Sequence, residues 1–252
     1  MRRANTVRNR SNTKIILIVS VARLRANQLA YSVIILLFGP PGCGKGTQAE
    51  FLVEHLQIPS ISTGEMFRAE CKSGSRLGRR IRDILARGGL IGDEIVNAMV
   101  AGRIAQEDCS GGFLLDGFPR TVAQARFFTR LLEQRALPEP LVIHLDVPDD
   151  VLVTRICARR QCPQCLRIYN LLSQPPAAEG VCDCDGATLL VRDDDCPVAM
   201  RERLAAYREQ TGPVLQWFGE SLVRRVDGSR SAAEVATDVA RWVTRPVATT
   251  CR

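Results

Sequence analysis

The sequence predicts an α/β fold in which a parallel sheet is covered by helices on both faces. The first observation is an unbroken apolar run from Val33 to Phe38, which is typical of a strand buried on both sides. The second observation is that strand candidates and helix candidates alternate along the chain. Further strand candidates at 58–61, 113–116, 141–147 and 223–227 are separated by helical periodicity at roughly 66–86, 94–107, 121–135, 149–160, 201–221 and 231–243. Five strands alternating with helices indicate a five-stranded parallel sheet between two helical layers.

The first strand is followed by a glycine-rich turn. Residues Gly39 to Thr47 read G-P-P-G-C-G-K-G-T, and an amphipathic helix follows them. Glycines let successive backbone N–H groups surround phosphate oxygens, and the helix N-terminus adds positive partial charge. Lys45 would reach the β- and γ-phosphates. The turn therefore predicts ATP binding by Gly42, Cys43, Gly44, Lys45, Gly46 and Thr47.

Composition and charge exclude several classes of protein. Of the 252 residues, 46% are hydrophobic and 24% are charged, which excludes disordered and fibrous chains. No apolar run approaches the ~18 residues that a membrane-spanning helix needs. The net charge of +7 arises from seven cations in residues 1–32, which contain no acid, and the other 27 cations balance 27 acids. The excess therefore does not indicate a nucleic-acid-binding face.

Residues 1–32 are a basic N-terminal extension, which we exclude from the fold prediction. The extension is rich in arginine and contains one short apolar stretch, Ile15 to Ala22. Three interpretations stay open: a start codon chosen too far upstream, a mitochondrial transit peptide, or a signal peptide.

Four of the ten cysteines crowd into residues 158–195, here called the cysteine-rich segment. The other six are scattered singly, so the cluster favours a metal site in a reducing compartment over the cross-links of a secreted protein. Cys162 and Cys165 form one C-x-x-C knuckle. The second pair of ligands would be Cys182 with either Cys184 or Asp185, and either set of four ligands suits tetrahedral zinc.

Four motifs resemble those of the adenylate kinase family in order and spacing. They are Gly39–Thr47, Ser62–Met66, Asp116–Arg120 and Arg192–Asp194, and the resemblance extends from Val33 to about Val243. It implies a P-loop NTPase-type core formed by residues 33–61, 92–157 and 196–245. It also implies an inserted AMP-binding segment at 62–91 and a small zinc-ribbon lid at 158–195.

The resemblance implies a role for each matched residue. ATP would also be bound by Arg159, Ile168, Tyr169 and the backbone near Arg230. AMP would be bound by Thr63, Arg68, Gly89, Leu90, Ile91, Gly117, Phe118, Pro119, Arg120, Gln124, Arg192 and Arg203, with Gln124 reading the adenine edge. The catalytic residues would be Lys45, Asp116, Arg120, Arg155, Arg159, Arg192 and Arg203. In this set Arg155, Arg192 and Arg203 would complete the clamp on the transferring phosphoryl group. Arg120 would hold the AMP phosphate, Arg159 would contact ATP, and Asp116 would hold waters on the Mg²⁺ that accompanies ATP.

For the metal, the resemblance favours Asp185 over Cys184 as the fourth ligand. Cys162, Cys165, Cys182 and Asp185 would then hold a structural Zn²⁺ in the lid. A segment this short has almost no core of its own, so the metal is expected to stabilise the lid and not to catalyse.

The activity implied is reversible transfer of the terminal phosphoryl group of MgATP to AMP, giving two ADP. We expect a cytoplasmic monomer whose partners are ATP, AMP and ADP, with no nucleic acid and no membrane. Two alternatives stay open: a kinase for UMP, CMP or another nucleoside monophosphate, and a nucleotide-binding regulatory module that has lost catalysis. The paired cysteines argue against the first, and the presence of Lys45, Asp116 and the arginines argues against the second.

Overall fold

A computed structural model of the chain describes residues 32–86, 91–192, 195 and 197–243. The predicted extension, apart from Ser32, lies outside the described residues, and so do Gly89 and Leu90 of the predicted AMP-binding set. Across the described ranges, no helix combines the length and apolarity needed to cross a membrane.

The described elements alternate between strand and helix along most of the chain. In order they are β1 (Val33–Phe38), α1 (Lys45–Leu56), β2 (Ser60–Ser62), α2 (Thr63–Ser73), α3 (Arg76–Ala86), α4 (Asp93–Ile104), β3 (Gly112–Asp116), α5 (Val122–Gln134), β4 (Leu141–Asp146), α6 (Asp149–Cys157), β5 (Arg159–Gln161), β6 (Ile168–Asn170), α7 (Pro197–Ala206), a π-helical turn (Tyr207–Thr211), α8 (Gly212–Phe218), β7 (Val223–Asp227) and α9 (Ala232–Val243).

Five strands form the main sheet, in the order β2-β3-β1-β4-β7, and every neighbouring pair is parallel. The five-stranded parallel sheet predicted from the sequence is confirmed. Because the strands are parallel, their carboxyl ends meet at one edge of the sheet, with β1 in the middle. That edge is where the loops after β1, β2, β3 and β7 come together.

Successive side chains of β1 enter two separate cores. Leu36 and Phe38 pack on the face covered by α4, α5 and α8. Ile35 and Leu37 pack on the opposite face, against α1, α6, α7 and α9. Since both faces are covered, every position from Ile34 to Phe38 is buried, which explains the unbroken apolar run.

Three predicted helices differ from the observed ones. The helix expected at 149–160 ends at Cys157, because Arg159 and Arg160 belong to β5 and pair with β6. The periodicity at 66–86 belongs to two helices, α2 and α3, because Gly74 adopts a φ of 70° and ends α2 in the left-handed region. The helix expected at 201–221 begins earlier, at Pro197, and is interrupted by the π-helical turn before α8.

The cysteine-rich segment departs from the alternation, as predicted. Its strands β5 and β6 pair antiparallel, and Gln161 forms a further bridge to Leu190. The buried apolar cluster of this segment consists only of Cys162, Tyr169, Cys182 and Leu189. So small a cluster provides little hydrophobic stabilisation, and two of its four members are thiols.

Helices α2 and α3 approach each other through their backbones at Gly78. A Cβ on Gly78 would lie 2.0 Å from the carbonyl oxygen of Glu70. The Gly78 N–H also donates to Oγ of Ser75 at 2.8 Å, near the start of α3. Any side chain at this position would push the two helices apart.

We therefore predict that Gly78→Ala lowers the free energy of unfolding by about 1–3 kcal/mol, the usual cost of overpacking. Gly102→Ala, in α4, is the matched control because a Cβ there meets nothing within 4 Å. The control should gain about 0.5–1 kcal/mol from better helix propensity. Thermal unfolding followed by circular dichroism measures both, and equal stability of the two variants would contradict the packing argument.

Candidate active site

The predicted phosphate loop joins the end of β1 to the start of α1. Gly42 and Gly44 have φ angles of 84° and 98°, where other residues are strained. A Cβ on Gly42 would also lie 2.8 Å from Cγ1 of Ile156. The first turn of α1 has no acidic residue, so its positive end stays attractive to an anion. Gly46 and Thr47 follow in that turn and are exposed.

Lys45, the first residue of α1, folds back over this loop. Its ammonium donates hydrogen bonds to the carbonyl oxygens of Gly39 (2.7 Å) and Pro40 (3.1 Å). On its flexible stem the same group can turn its hydrogens toward phosphate oxygens held by the loop. The Cys43 thiol is buried, and burial raises its pKa, so it stays protonated and packs as a small apolar side chain.

The Asp-Gly-Phe-Pro-Arg motif begins at the carboxyl end of β3, beside the phosphate loop. Asp116 pairs with Leu37 of β1, two residues before the loop. The next residue, Gly117, has a φ of 80° and turns the chain. Its carbonyl oxygen accepts hydrogen bonds from Oγ1 of Thr63 (3.0 Å) and Nε of Arg120 (2.8 Å). The structure thus brings two separate predicted AMP-binding motifs to one carbonyl.

Gln124 is a buried residue in the first turn of α5. Its Oε1 accepts a hydrogen bond from the backbone N–H of Arg120 (2.8 Å), and its Nε2 donates to Oδ1 of Asp93 (2.7 Å). Thr121, the N-cap of α5, accepts from the Gln124 N–H (3.1 Å) and donates to Oδ2 of Asp93 (2.8 Å). Asp93, at the start of α4, therefore holds the end of the motif in place.

A buried carboxylate brings two of the predicted catalytic arginines together. The side chain of Asp195 has no solvent exposure. Arg159 forms a bidentate pair with it, through Nε at 2.7 Å from Oδ2 and through Nη2 on Oδ1. Nη1 of Arg203, on α7, lies 3.8 Å from Oδ1. The Asp195 carboxylate thus orients two guanidinium groups, that of Arg159 in the cysteine-rich segment and that of Arg203 on α7.

Arg155 contacts a different part of the chain. Its guanidinium donates to the carbonyl oxygens of Gly228 (2.7 Å), Ser229 (2.9 Å) and Arg230 (3.3 Å), in the loop after β7. The Arg230 side chain itself points to carboxylates, with Nη2 bonded to Asp238. In the structure Arg155 therefore orders the loop whose backbone was predicted to meet the ATP base.

The other described residues of the predicted AMP site are Arg68, Arg192, Phe118, Pro119 and Ile91. Arg68 is exposed on α2, and its Nη1 is 3.3 Å from the position of a Cβ on Gly64. Arg192 opens the turn to Asp195, whose N–H donates to its carbonyl at 3.0 Å. Phe118, Pro119 and Ile91 are buried or half-buried, with Phe118 and Ile91 packed in the core.

The two predicted ATP-binding residues of β6 face opposite ways. Ile168 is 44% exposed, whereas Tyr169 is 3% exposed. The Tyr169 hydroxyl accepts from the N–H of Asp183 (2.8 Å) and lies 3.4 Å from Sγ of Cys182. Because neighbouring strand residues alternate, only Ile168 presents its side chain outward, and Tyr169 packs beside the thiols.

The four predicted metal ligands converge in the cysteine-rich segment. The ligand atoms of Cys162, Cys165, Cys182 and Asp185 all lie within 4.8 Å of one another. Sγ of Cys162 is 3.2 Å from Oδ2 of Asp185, and Sγ of Cys165 is 3.5 Å from Sγ of Cys182. The backbone N–H groups of Gln164 and Cys165 both donate to Sγ of Cys162 at 3.4 Å, so backbone hydrogen bonds hold this sulfur in place.

The rival fourth ligand, Cys184, is placed apart from this group. It is exposed, and its Sγ accepts from Nη1 of Arg167 at 3.1 Å. The Asp185 carboxylate instead accepts from the N–H of Ala187, which together with the neighbouring thiols lowers its pKa to about 2. Three thiols and one ionised carboxylate are a chemically suitable tetrahedral set for Zn²⁺.

Sequence comparison identifies the family to which this arrangement belongs. The adenylate kinase family model matches residues 37–223. An adenylate kinase of Desulfitobacterium hafniense is 44% identical over 205 residues, covering 81% of this chain and 94% of the relative. One of Methanococcoides burtonii is 41% identical over 208 residues (82% and 96%), and one of Thermotoga neapolitana is 42% identical over 211 residues (83% and 96%). The chain belongs to the adenylate kinase family.

Membership confirms the fold, the enzyme class and the function predicted from the sequence. As an adenylate kinase the chain is a phosphotransferase that acts on nucleotides. Three of the four motifs that carried the resemblance, Gly39–Thr47, Ser62–Met66 and Asp116–Arg120, lie at the carboxyl edge of the sheet, where open α/β sheets bind their ligands.

Sequence reasoning missed two carboxylates of this adenylate kinase, Asp93 and Asp195. Asp195 directly follows the matched Arg192–Asp194 motif, which is the only local signal that could have marked it. Asp93 opens α4 and looks like an ordinary acidic residue at a helix start. Arg159 and Gln124, the partners to which their side chains hydrogen-bond, are distant in sequence, so only the fold shows these contacts.

We predict that Asp195→Asn lowers kcat/KM about tenfold to a hundredfold, because misplacing a catalytic group by roughly 1 Å costs on the order of 10²-fold. Stability should fall by about 3 kcal/mol, since two arginines lose their buried counter-charge. Asp108→Asn is the control. Asp108 pairs with Arg103 at 2.7 Å but is 52% exposed, so its loss should cost much less stability than the loss of Asp195. Wild-type turnover in Asp195→Asn would contradict the positioning role.

Proposed function

We propose that this chain catalyses MgATP + AMP ⇌ 2 ADP by direct in-line phosphoryl transfer at a single site. The observation that carries the proposal is the proximity of the two half-sites. Asp116 and the Gly117 turn, where Thr63 and Arg120 meet, follow β3, and β3 pairs with the strand that leads into the phosphate loop. A donor phosphate on the loop and an acceptor phosphate on Arg120 would thus share one edge of the sheet.

On the donor side, the loop amides and Lys45 would bind the β- and γ-phosphates of ATP. Thr47 and Asp116 offer the hydroxyl and carboxylate oxygens that suit Mg²⁺, with Asp116 acting through water. The ion bound with ATP would supply neutralisation of phosphate charge. We propose that Arg155 orders the loop at Gly228–Arg230 so that its backbone, with the exposed Ile168, meets the ATP base.

Between the half-sites, the arginines would offset the repulsion between two polyanions. Arg120 and Arg68 would hold the AMP phosphate, while Arg159, Arg192 and Arg203 would surround the transferring group. Guanidinium groups suit this task because they bind phosphate oxygens in pairs and stay charged. The Asp195 carboxylate sets the distance between Arg159 and Arg203 before substrate binds.

We propose the domain division that the motifs imply. Residues 33–61, 92–157 and 196–245 would form the core, 62–91 the AMP-binding segment, and 158–195 a lid. The lid carries Arg159 and Arg192, so these groups reach the phosphates only when it covers ATP. Covering the site would also exclude water, which would otherwise accept the phosphoryl group.

We propose a cytoplasmic monomer. The eight cysteines of the described residues are free thiols, which fits a reducing compartment. Both half-sites and the arginines between them lie on one chain, so no second copy is needed to complete the site. Size-exclusion chromatography with light scattering should give the mass of one chain, and a dimer would contradict this.

We predict that Lys45→Met lowers kcat by at least about a hundredfold, the scale of losing one preorganised charge at the reacting group. Lys72→Met is the matched control, since Lys72 is exposed on α2. Purified protein would receive MgATP with AMP, UMP, CMP or GMP in turn, and the nucleotide products would be separated chromatographically.

ADP formed with AMP, and not with the other acceptors, would support the proposal. Preference for UMP, CMP or GMP would replace it by a kinase for that monophosphate. ATP binding without transfer to any acceptor would indicate a regulatory module. Equal turnover of Lys45→Met and Lys72→Met would remove Lys45 from the mechanism.

We propose that Cys162, Cys165, Cys182 and Asp185 hold one structural Zn²⁺. The ligand atoms are within mutual reach, the thiols accept backbone N–H bonds, and the segment has little core besides them. The ion would supply the folding free energy that this segment lacks. None of its four candidate ligands belongs to the phosphate loop, so its role would be to keep the lid rigid.

The ligand set is testable with a matched pair of variants. Asp185→Ala should lose most bound zinc, whereas Cys184→Ser should retain about one zinc per chain, as measured by plasma mass spectrometry. Chelation of the wild-type protein should lower the unfolding temperature more than the initial turnover. Zinc loss in Cys184→Ser with retention in Asp185→Ala would reverse the assignment.

A further inference from the structure

The amide of Gln124 is held between two partners of opposite chemical type. Oε1 accepts from the Arg120 backbone N–H at 2.8 Å, and Nε2 donates to Oδ1 of Asp93 at 2.7 Å. A backbone N–H can only donate, and an ionised carboxylate can only accept. Rotating the amide by half a turn would set donor against donor at Arg120 and oxygen against carboxylate at Asp93. The Gln124 side chain therefore has one allowed orientation.

Asp93 is itself fixed by a second contact. Its other oxygen, Oδ2, accepts from Oγ1 of Thr121 at 2.8 Å. Thr121 also accepts the N–H of Gln124 at 3.1 Å, as the N-cap of α5. The carboxylate is thus tied to the helix that carries Gln124, and the two residues cannot move independently without breaking one of these hydrogen bonds.

This fixed orientation determines what Gln124 can recognise. An amide nitrogen has two hydrogens and an amide oxygen two lone pairs. The contacts with Asp93 and Arg120 use one of each. What remains is one donor and one acceptor in fixed positions. Adenine offers the complementary pair, an acceptor at N1 and a donor at the 6-amino group.

Hypoxanthine and guanine offer the opposite pair. Their N1 carries a hydrogen and position 6 carries an oxygen, so in the same pose donor would face donor and acceptor would face acceptor. These bases would match Gln124 only if its amide turned over. Binding of the wrong base would leave polar groups unpaired. This discriminates between bases more strongly than exclusion by shape does.

We propose that Asp93 is a positioning residue that makes the acceptor site selective for adenine over 6-oxopurines, by holding the Gln124 amide in one orientation. The inference rests on the proposed function, in which Gln124 reads the AMP base. Asp93 acts on the base only through Gln124, so its replacement changes selectivity without removing a group that touches substrate.

Asp93→Asn tests this directly, because an asparagine can present either an acceptor or a donor to Gln124. The ratio of kcat/KM for AMP to that for IMP should fall about tenfold, the scale of losing a hydrogen bond to a charged group. The change should appear in the KM values of the acceptors, with the KM for ATP unchanged. IMP is the probe because hypoxanthine differs from adenine only at position 6 and in the N1 proton.

Glu94→Gln is the matched control. Glu94 is the next residue in the same first turn of α4, is exposed, and loses the same charge at the same helix end. Its AMP-to-IMP ratio should equal that of the wild type. If Asp93→Asn does not fold, Thr121→Val, which removes the contact to Oδ2, should lower the ratio at least threefold. An unchanged ratio in a folded Asp93 or Thr121 variant overturns the inference.

Gln124→Met separates this inference from the proposed function. If Gln124→Met raises the KM for AMP and abolishes selectivity while Asp93→Asn keeps the wild-type ratio, Gln124 reads the base but Asp93 does not orient it. If Gln124→Met leaves the KM for AMP and the ratio unchanged, Gln124 is not in the acceptor site. The proposed role of Gln124 then fails, and the role of Asp93 fails with it.

Discussion

The ion pair between Asp195 and its two arginines links the two ends of the cysteine-rich segment to each other and to α7. Arg159 and Asp195 stand near the two ends of the cysteine-rich segment, and Arg203 belongs to α7 of the core. A carboxylate without solvent exposure is costly unless it is paired, so the three groups hold one another in position. Phosphoryl transfer asks little covalent chemistry of a protein and depends on where its positive charges stand. This pairing places two of those charges before any nucleotide arrives.

The site also depends on the parallel sheet, which brings the ends of its strands to one common edge. β1 delivers the phosphate loop, β2 leads into Thr63, β3 ends at Asp116, and the loop after β7 is held by Arg155. Because all five strands run the same way, these groups meet although they are far apart in sequence. The cysteine-rich segment is different in kind. It carries Arg159 and Arg192, its buried apolar cluster is small, and the ligand atoms of its four candidate metal ligands lie within 4.8 Å of one another.

Local patterns explain which features the sequence could predict. The phosphate loop and the five strands are marked by short runs whose meaning does not depend on the rest of the chain, and the structure has them where expected. Asp93 and Asp195 carry no such mark, because each acts on a partner about thirty residues away. Tyr169 was expected at the ATP base, yet the pleat of β6 turns it toward Cys182. The residues of a segment indicate that it forms a strand. The side of the sheet on which each side chain lies depends on which strands pair.

The central claim is that one chain holds donor and acceptor nucleotides together at one site. A bisubstrate analogue in which two adenosines are joined by five phosphates spans both half-sites, so its binding measures their proximity. Isothermal titration should show one molecule bound per chain, and both ATP and AMP should compete with it. Binding of two molecules per chain, or competition by only one of the two nucleotides, would contradict the claim.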